Sequence, residues 1–123
     1  MADEISFSAS LGAFKADVTA TPIGQAANGL TFTWTGSVWA NGTFLAGVTA
    51  TAIPLGQVDE PHWCYLKNLD ATNYVGVRKA SGDTDLIRLY PGEVAFFPMN
   101  PTAVPCVIAD TDTCYVEFFI LSM

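Results

Sequence analysis

Apolar and small polar residues alternate one by one along several short stretches of this chain, and a period of two is the geometry of an extended strand with one buried face. The clearest case is 30–35, where Leu30, Phe32 and Trp34 alternate with Thr31, Thr33 and Thr35. Ile5, Phe7, Ala9 and Leu11 alternate with serines in the same way. Further strands are expected over 14–20, 43–53, 63–68, 74–79, 85–90, 94–98, 104–109 and 113–121, punctuated by Gly, Pro, Asn and Asp. No window shows a 3.6-residue apolar stripe with a cap at each end, so little or no helix is expected. About eight to ten short strands cannot lie as one flat sheet and keep both faces dry, so the expected fold is all-β. Its form is an antiparallel, jelly-roll-like β-sandwich. At 123 residues a second core would leave neither large enough, and 1–123 is read as a single sandwich domain.

Two turns carry specific chemistry. Asn41-Gly42 is a type I′ hairpin signal, because both central positions need positive φ; it would pair Ala40 with Thr43 and Trp39 with Phe44. Tyr90-Pro91-Gly92-Glu93 places Pro and Gly where a type II turn wants them and would join 85–90 to 94–98. Near the end of the chain, Cys114, Val116, Phe118 and Ile120 fall on one face of a strand and Tyr115, Glu117, Phe119 and Leu121 on the other. Both faces are largely apolar, as in a covered central strand or one whose outer face meets a neighbour.

Charge is sparse and uneven. Charged residues make up 14% against 50% hydrophobic, with 5 Lys plus Arg, 12 Asp plus Glu and a net charge of −7. Nucleic-acid phosphates and anionic membrane surfaces would repel such a chain, so neither is an expected partner. No apolar run is long enough to span a bilayer, and the acidic start is unlike a signal peptide, so synthesis in a cytoplasm is expected. From 18 to 58 there is no charged residue at all. A Thr-rich solvated sheet accounts for this, and so does a surface covered by another subunit. If the strand from Leu30 runs unbroken to the turn at Asn41-Gly42, Val38 and Ala40 continue its buried face while Trp39 and Phe44 stand outside as an aromatic pair; a bulge at Gly36 would bury Trp39 instead. The interface candidates are therefore Trp39, Phe44, Thr31, Thr33, Thr35, Phe119 and Leu121.

Catalytic chemistry has little to stand on. The one histidine, His62, has no nucleophile and acid at triad-like positions, and there is no phosphate loop, serine elbow or recognisable pair of catalytic acids, so no enzyme and no cofactor are expected. His62, Cys64, Cys106 and Cys114 could in principle form a zinc set, but no C-x₂-C knuckle is present. The odd cysteine count suits reduced thiols, with Cys106 and Cys114 facing each other on neighbouring strands. The acidic loops Asp83-Thr84-Asp85 and Asp110-Thr111-Asp112 lack a calcium-loop pattern and supply what turns need. No metal is expected. Aromatic side chains in a β-sandwich also allow a sugar-binding platform, with Trp39, Asn41 and Phe44 as its candidate residues.

The second half carries a resemblance. Tyr65-Leu66-Lys67-Asn68-Leu69-Asp70-Ala71-Thr72-Asn73-Tyr74-Val75, then Leu86-Ile87-Arg88-Leu89-Tyr90-Pro91-Gly92-Glu93-Val94-Ala95, then Val116-Glu117-Phe118-Phe119-Ile120 resemble small virion proteins of tailed bacteriophages. The resemblance covers about half the chain, brings no catalytic residues and implies a β-sandwich structural protein, a capsid decoration (cement) protein or a head, neck or tail component. The expected partners are the major capsid protein or other virion subunits, with a homo-oligomer, a trimer among the options, and the expected location is the virion. The alternative is a carbohydrate-binding sandwich module, or a head-neck or tail component recognising a host surface glycan.

Overall fold

The computed structural model describes residues 4–13 and 23–123; the strand expected over 14–20 lies outside them. The chain divides into two units, 1–35 and 36–123.

The first unit is a hairpin. Strand β1 (Glu4–Ala13) pairs antiparallel with β2 (Ile23–Thr33) as a two-stranded sheet of its own. Glu4 lies opposite Thr33 and Ala13 opposite Ile23, and one irregularity between Phe7 and Ala9 shifts the register. The strand expected to run on through Trp34 stops at Thr33; 34–38 is irregular, and the next strand begins at Trp39. Phe32, expected in a core, is exposed.

The second unit is a sandwich of eight antiparallel strands: β3 (Trp39–Ala46), β4 (Thr51–Ala52), β5 (Pro61–Asn68), β6 (Val75–Arg78), β7 (Ile87–Leu89), β8 (Val94–Pro98), β9 (Cys106–Ala109) and β10 (Cys114–Ser122). One sheet has the order β3-β10-β5-β8 and the other β4-β9-β6-β7. The pairing is nested, first with last: β3 with β10, β4 with β9, β5 with β8, β6 with β7. This unit is thus one long antiparallel ribbon folded between β6 and β7 and wound up, with β10–β5 and β9–β6 pairing closing each sheet. That winding is a jelly roll, as the strand count and turn spacing implied. Among the described residues there is no helix, hence none long and apolar enough to cross a membrane.

The core lies between the sheets, where alternate residues of the central strands meet. Cys64, Leu66, Val75, Val77, Val107, Cys114, Val116, Phe118 and Ile120 are all buried there. Burying this apolar surface drives folding at ~25 cal/mol per Å². Desolvation pushes the Cys64 thiol up to about 12, so it is a neutral packing group. All three cysteines are free thiols. Cys106 and Cys114 do not face each other as expected: β9 and β10 belong to different sheets, so their loop crosses the sandwich instead of closing a hairpin.

Two turn expectations are corrected on the same ground. Asn41-Gly42 is not a turn; it lies inside β3, with Asn41 opposite Phe119 and Gly42 opposite Phe118. Gly42 does take a positive φ of 142°, but its neighbours pair with β10 rather than with each other. The turn Tyr90–Glu93 forms, with Glu93 N–H donating to the Tyr90 carbonyl and Gly92 at φ 82°, yet it leads from β7 in one sheet to β8 in the other.

Asn68 ties the corners together. It is fully buried at the end of β5. Its side-chain Nδ2 donates to the carbonyls of Asn73 and Leu89, both at 2.8 Å, and its Oδ1 accepts from Asp70 N–H at 2.9 Å. Its backbone exchanges hydrogen bonds with Glu93 and Gly92. The Asn68–Tyr74 and Pro91–Glu93 segments are therefore two halves of one corner.

Acid should loosen this architecture. The N–H groups of Asn73 and Thr72 donate to Asp70 Oδ2 and hold its carboxyl below the usual range. Burial pushes Asp85 up, but hydrogen bonds from Arg78 and Arg88 outweigh it and bring Asp85 below that range too. A carboxyl with a depressed folded pKa stabilises fully above its unfolded value of about 3.9, and that stabilisation is lost as pH falls through it toward the folded value. Urea midpoints measured from pH 6 to pH 3 should fall over the lower part of that range, and less steeply for Asp70→Asn. A flat profile would contradict both assignments.

Candidate functional site

The outer face of the β3-β10-β5-β8 sheet is a grid set by register. One row across the four strands reads Trp39, Leu121, Trp63, Pro98; the next reads Asn41, Phe119, Tyr65, Phe96; the third reads Thr43, Glu117, Lys67, Val94. Leu45 and Tyr115 follow beyond them. Trp39 is 56% exposed, Tyr115 60% and Phe119 40%, and Leu45, Val94 and Phe96 are also exposed. Solvated sheet faces ordinarily carry polar residues, so an aromatic outer face of this extent is a candidate contact surface.

A groove of 330 Å³ sits within the grid. Asn41 and Thr43 from β3, Glu117 and Phe119 from β10 and Tyr65 from β5 wall it, over Gly42 and Phe118. The Tyr65 hydroxyl donates to Glu117 Oε1 at 2.9 Å. Partial burial, then that hydrogen bond and the charge of Glu117, raise the Tyr65 pKa, so the phenol stays protonated and the carboxylate stays oriented.

The opposite sheet carries a charged cluster on its outer side. Asp85, its side chain only 4% exposed, takes Arg78 Nε on Oδ1 at 2.5 Å and Arg88 Nε on Oδ2 at 2.8 Å. The Arg88 guanidinium lies 4.5 Å from the centre of the Tyr74 ring, which in turn packs against Tyr90. A 470 Å³ groove runs beside it, lined by Tyr74, Arg78, Asp85 and Asp110 among others. Both Asp85 oxygens are engaged by the arginines, which makes this cluster a clamp between β6 and β7.

The residues singled out from sequence fall in separate places. Trp39, Asn41, Phe119 and Leu121 come together on the aromatic face. Phe44 does not: it is half-buried and packs edge-to-face on Phe118 at 5.6 Å, because without a turn at Asn41-Gly42 the even-numbered positions of β3 point inward. Thr33 ends β2 and Thr35 follows it, both exposed; the side chain of Thr31 lies outside the described residues. His62 is occupied structurally, with Nδ1 2.9 Å from the Met99 carbonyl and the ring against Trp63. Among the described residues no three His, Cys, Asp or Glu side chains gather as a metal site. Tyr65 and Glu117 were not singled out as site residues; their alternation marks them as outward-facing, but only the β10–β5 pairing makes them neighbours.

Compared with known protein families, curated proteins and solved structures, the chain matches none.

Proposed function

We propose that this chain is a non-enzymatic structural subunit of a tailed-bacteriophage virion, a capsid decoration (cement) protein held in many copies on the major capsid lattice. The observation that carries the reading is the hairpin β1–β2. Among the described residues its strands of 10 and 11 residues form a two-stranded sheet, and Glu4 is the one ionisable residue within those strands. A two-stranded sheet is marginal in water on its own, and natural edge strands are normally guarded by Lys, Pro or charge. Two long strands with almost no such guard fit a segment that gains further strands from a neighbouring subunit. Thr31, Thr33 and Thr35 belong to this contact. Trp39, Phe119 and Leu121 belong to the separate sheet face.

The jelly roll itself hosts capsid and lectin domains alike, so it favours a surface protein by analogy only. Weak single contacts suffice when linked protomers attach together, because attachment of one raises the effective concentration of the next. Homo-oligomers on a shell, synthesised in the host cytoplasm and assembled there, fit that arithmetic.

Quantitative mass spectrometry of purified particles should find the protein at hundreds of copies. Thr33→Lys with Thr35→Lys, which places cations beside the hairpin edge, should cut that number by about tenfold while the sandwich still folds. A dozen copies would indicate a neck or tail part, and absence from particles would overturn the reading.

A further inference from the structure

From the groove in the aromatic sheet face, we infer a binding site for one ring of a neutral sugar, a hexopyranose unit of a surface glycan. A pyranose has a C–H face and a rim of hydroxyls, and recognition needs a flat aromatic surface beside fixed polar groups. Phe119 and Tyr65 are direct cross-strand neighbours and supply the aromatic surface, whose electron-rich faces attract C–H groups. Asn41 and Thr43 stand on the adjacent strand with an amide and a hydroxyl, each able both to donate and to accept. Glu117 gives Oε1 to Tyr65 and keeps Oε2 as an acceptor for sugar hydroxyls. Because Tyr65 already orients the carboxylate, little ordering is left for the ligand to impose.

The position of Glu117 distinguishes this occupant from a protein partner. The core of a protein–protein interface is depleted of charged groups, and burying a carboxylate in one is expensive. Here Glu117 and Lys67 lie opposite each other in the middle of the face. Open hydroxyls of a sugar can satisfy such groups without drying them. Their opposite charges cancel locally while the whole chain carries −7, which favours neutral over acidic sugars. At 330 Å³ the groove is near the small end of ligand sites, room for one ring rather than a buried chain.

The site would let an attached subunit hold a cell or host surface, yet it does not rest on the virion reading and is tested on the free protein. Amide chemical-shift titration of the full chain with glucose, galactose, mannose, N-acetylglucosamine and their short oligomers should give saturable shifts confined to β3, β5 and β10. The expected affinity for at least one probe is about 1–10 mM. Glu117→Gln and Phe119→Ala should each weaken that probe about tenfold, and Tyr65→Phe about threefold. Near-normal spectra elsewhere would show that each variant folds. No shift with any neutral probe, wild-type affinity in the Glu117→Gln and Phe119→Ala variants, binding only of acidic sugars, or self-association that buries Phe119 would each overturn the site.

Discussion

Asn68→Ala should lower the free energy of unfolding by about 3 kcal/mol, a large share of what a domain of this size has to lose. The side chain is fully buried and all three of its hydrogen bonds go to backbone groups of the corner: the carbonyls of Asn73 and Leu89 and the N–H of Asp70. Alanine would leave those groups without their partner in a site of low dielectric, where each unsatisfied group costs about 1–3 kcal/mol before water enters. Asn68→Asp separates this cause from simple loss of volume. It keeps the shape but turns the donor toward Asn73 and Leu89 into an acceptor facing two carbonyls. At pH 7 it should therefore unfold at a urea concentration no higher than the alanine variant, and protonation in acid should narrow the gap. An aspartate variant as stable as wild type would show that the amide does not hold the corner.

Asn68 also marks where reading a sequence stops. Its segment was legible as an Asx-rich turn, because Asp70 and its neighbours make their hydrogen bonds within a few residues. Its bond to Leu89 was not, because that contact joins two sheets across many intervening residues. The same division runs through the fold. The inward set Cys114, Val116, Phe118 and Ile120 could be read from alternation within β10 alone, and the jelly roll from the number and spacing of strands. Asn41-Gly42 misled because turn chemistry states only what two residues tolerate; in the folded chain the whole segment from Trp39 to Ala46 pairs with β10, from the far end of the chain, instead of with itself. Pro91-Gly92 made the expected turn between strands of different sheets, a distinction no local residue carries. The groove is illegible for the same reason. Asn41, Tyr65 and Glu117 lie on three strands that only the nested winding makes adjacent.

Gly76→Ala is the second large effect, with an expected loss of about 2–3 kcal/mol. Gly76 lies in β6 between Arg88 of β7 and Ile108 of β9, and the Asp85 carboxylate rests directly over it. A Cβ there would meet Asp85 Oδ1 and come within 2.6 Å of Cγ. The obstacle is not a loose chain end, since Arg78 and Arg88 hold both carboxylate oxygens. Making room would therefore break the clamp between β6 and β7. Solvent reaches both arginines and moderates the loss, which keeps it below that of a fully buried ion pair. The decisive measurement is a double-mutant cycle in urea. In an Asp85→Ala background the carboxylate is gone, so Gly76→Ala should cost little, and replacing glycine in a strand should even offset part of the change by reducing the freedom of the unfolded chain. A coupling of about 2 kcal/mol between the two positions is expected; simple additivity would mean that the glycine is there for some reason other than the carboxylate above it.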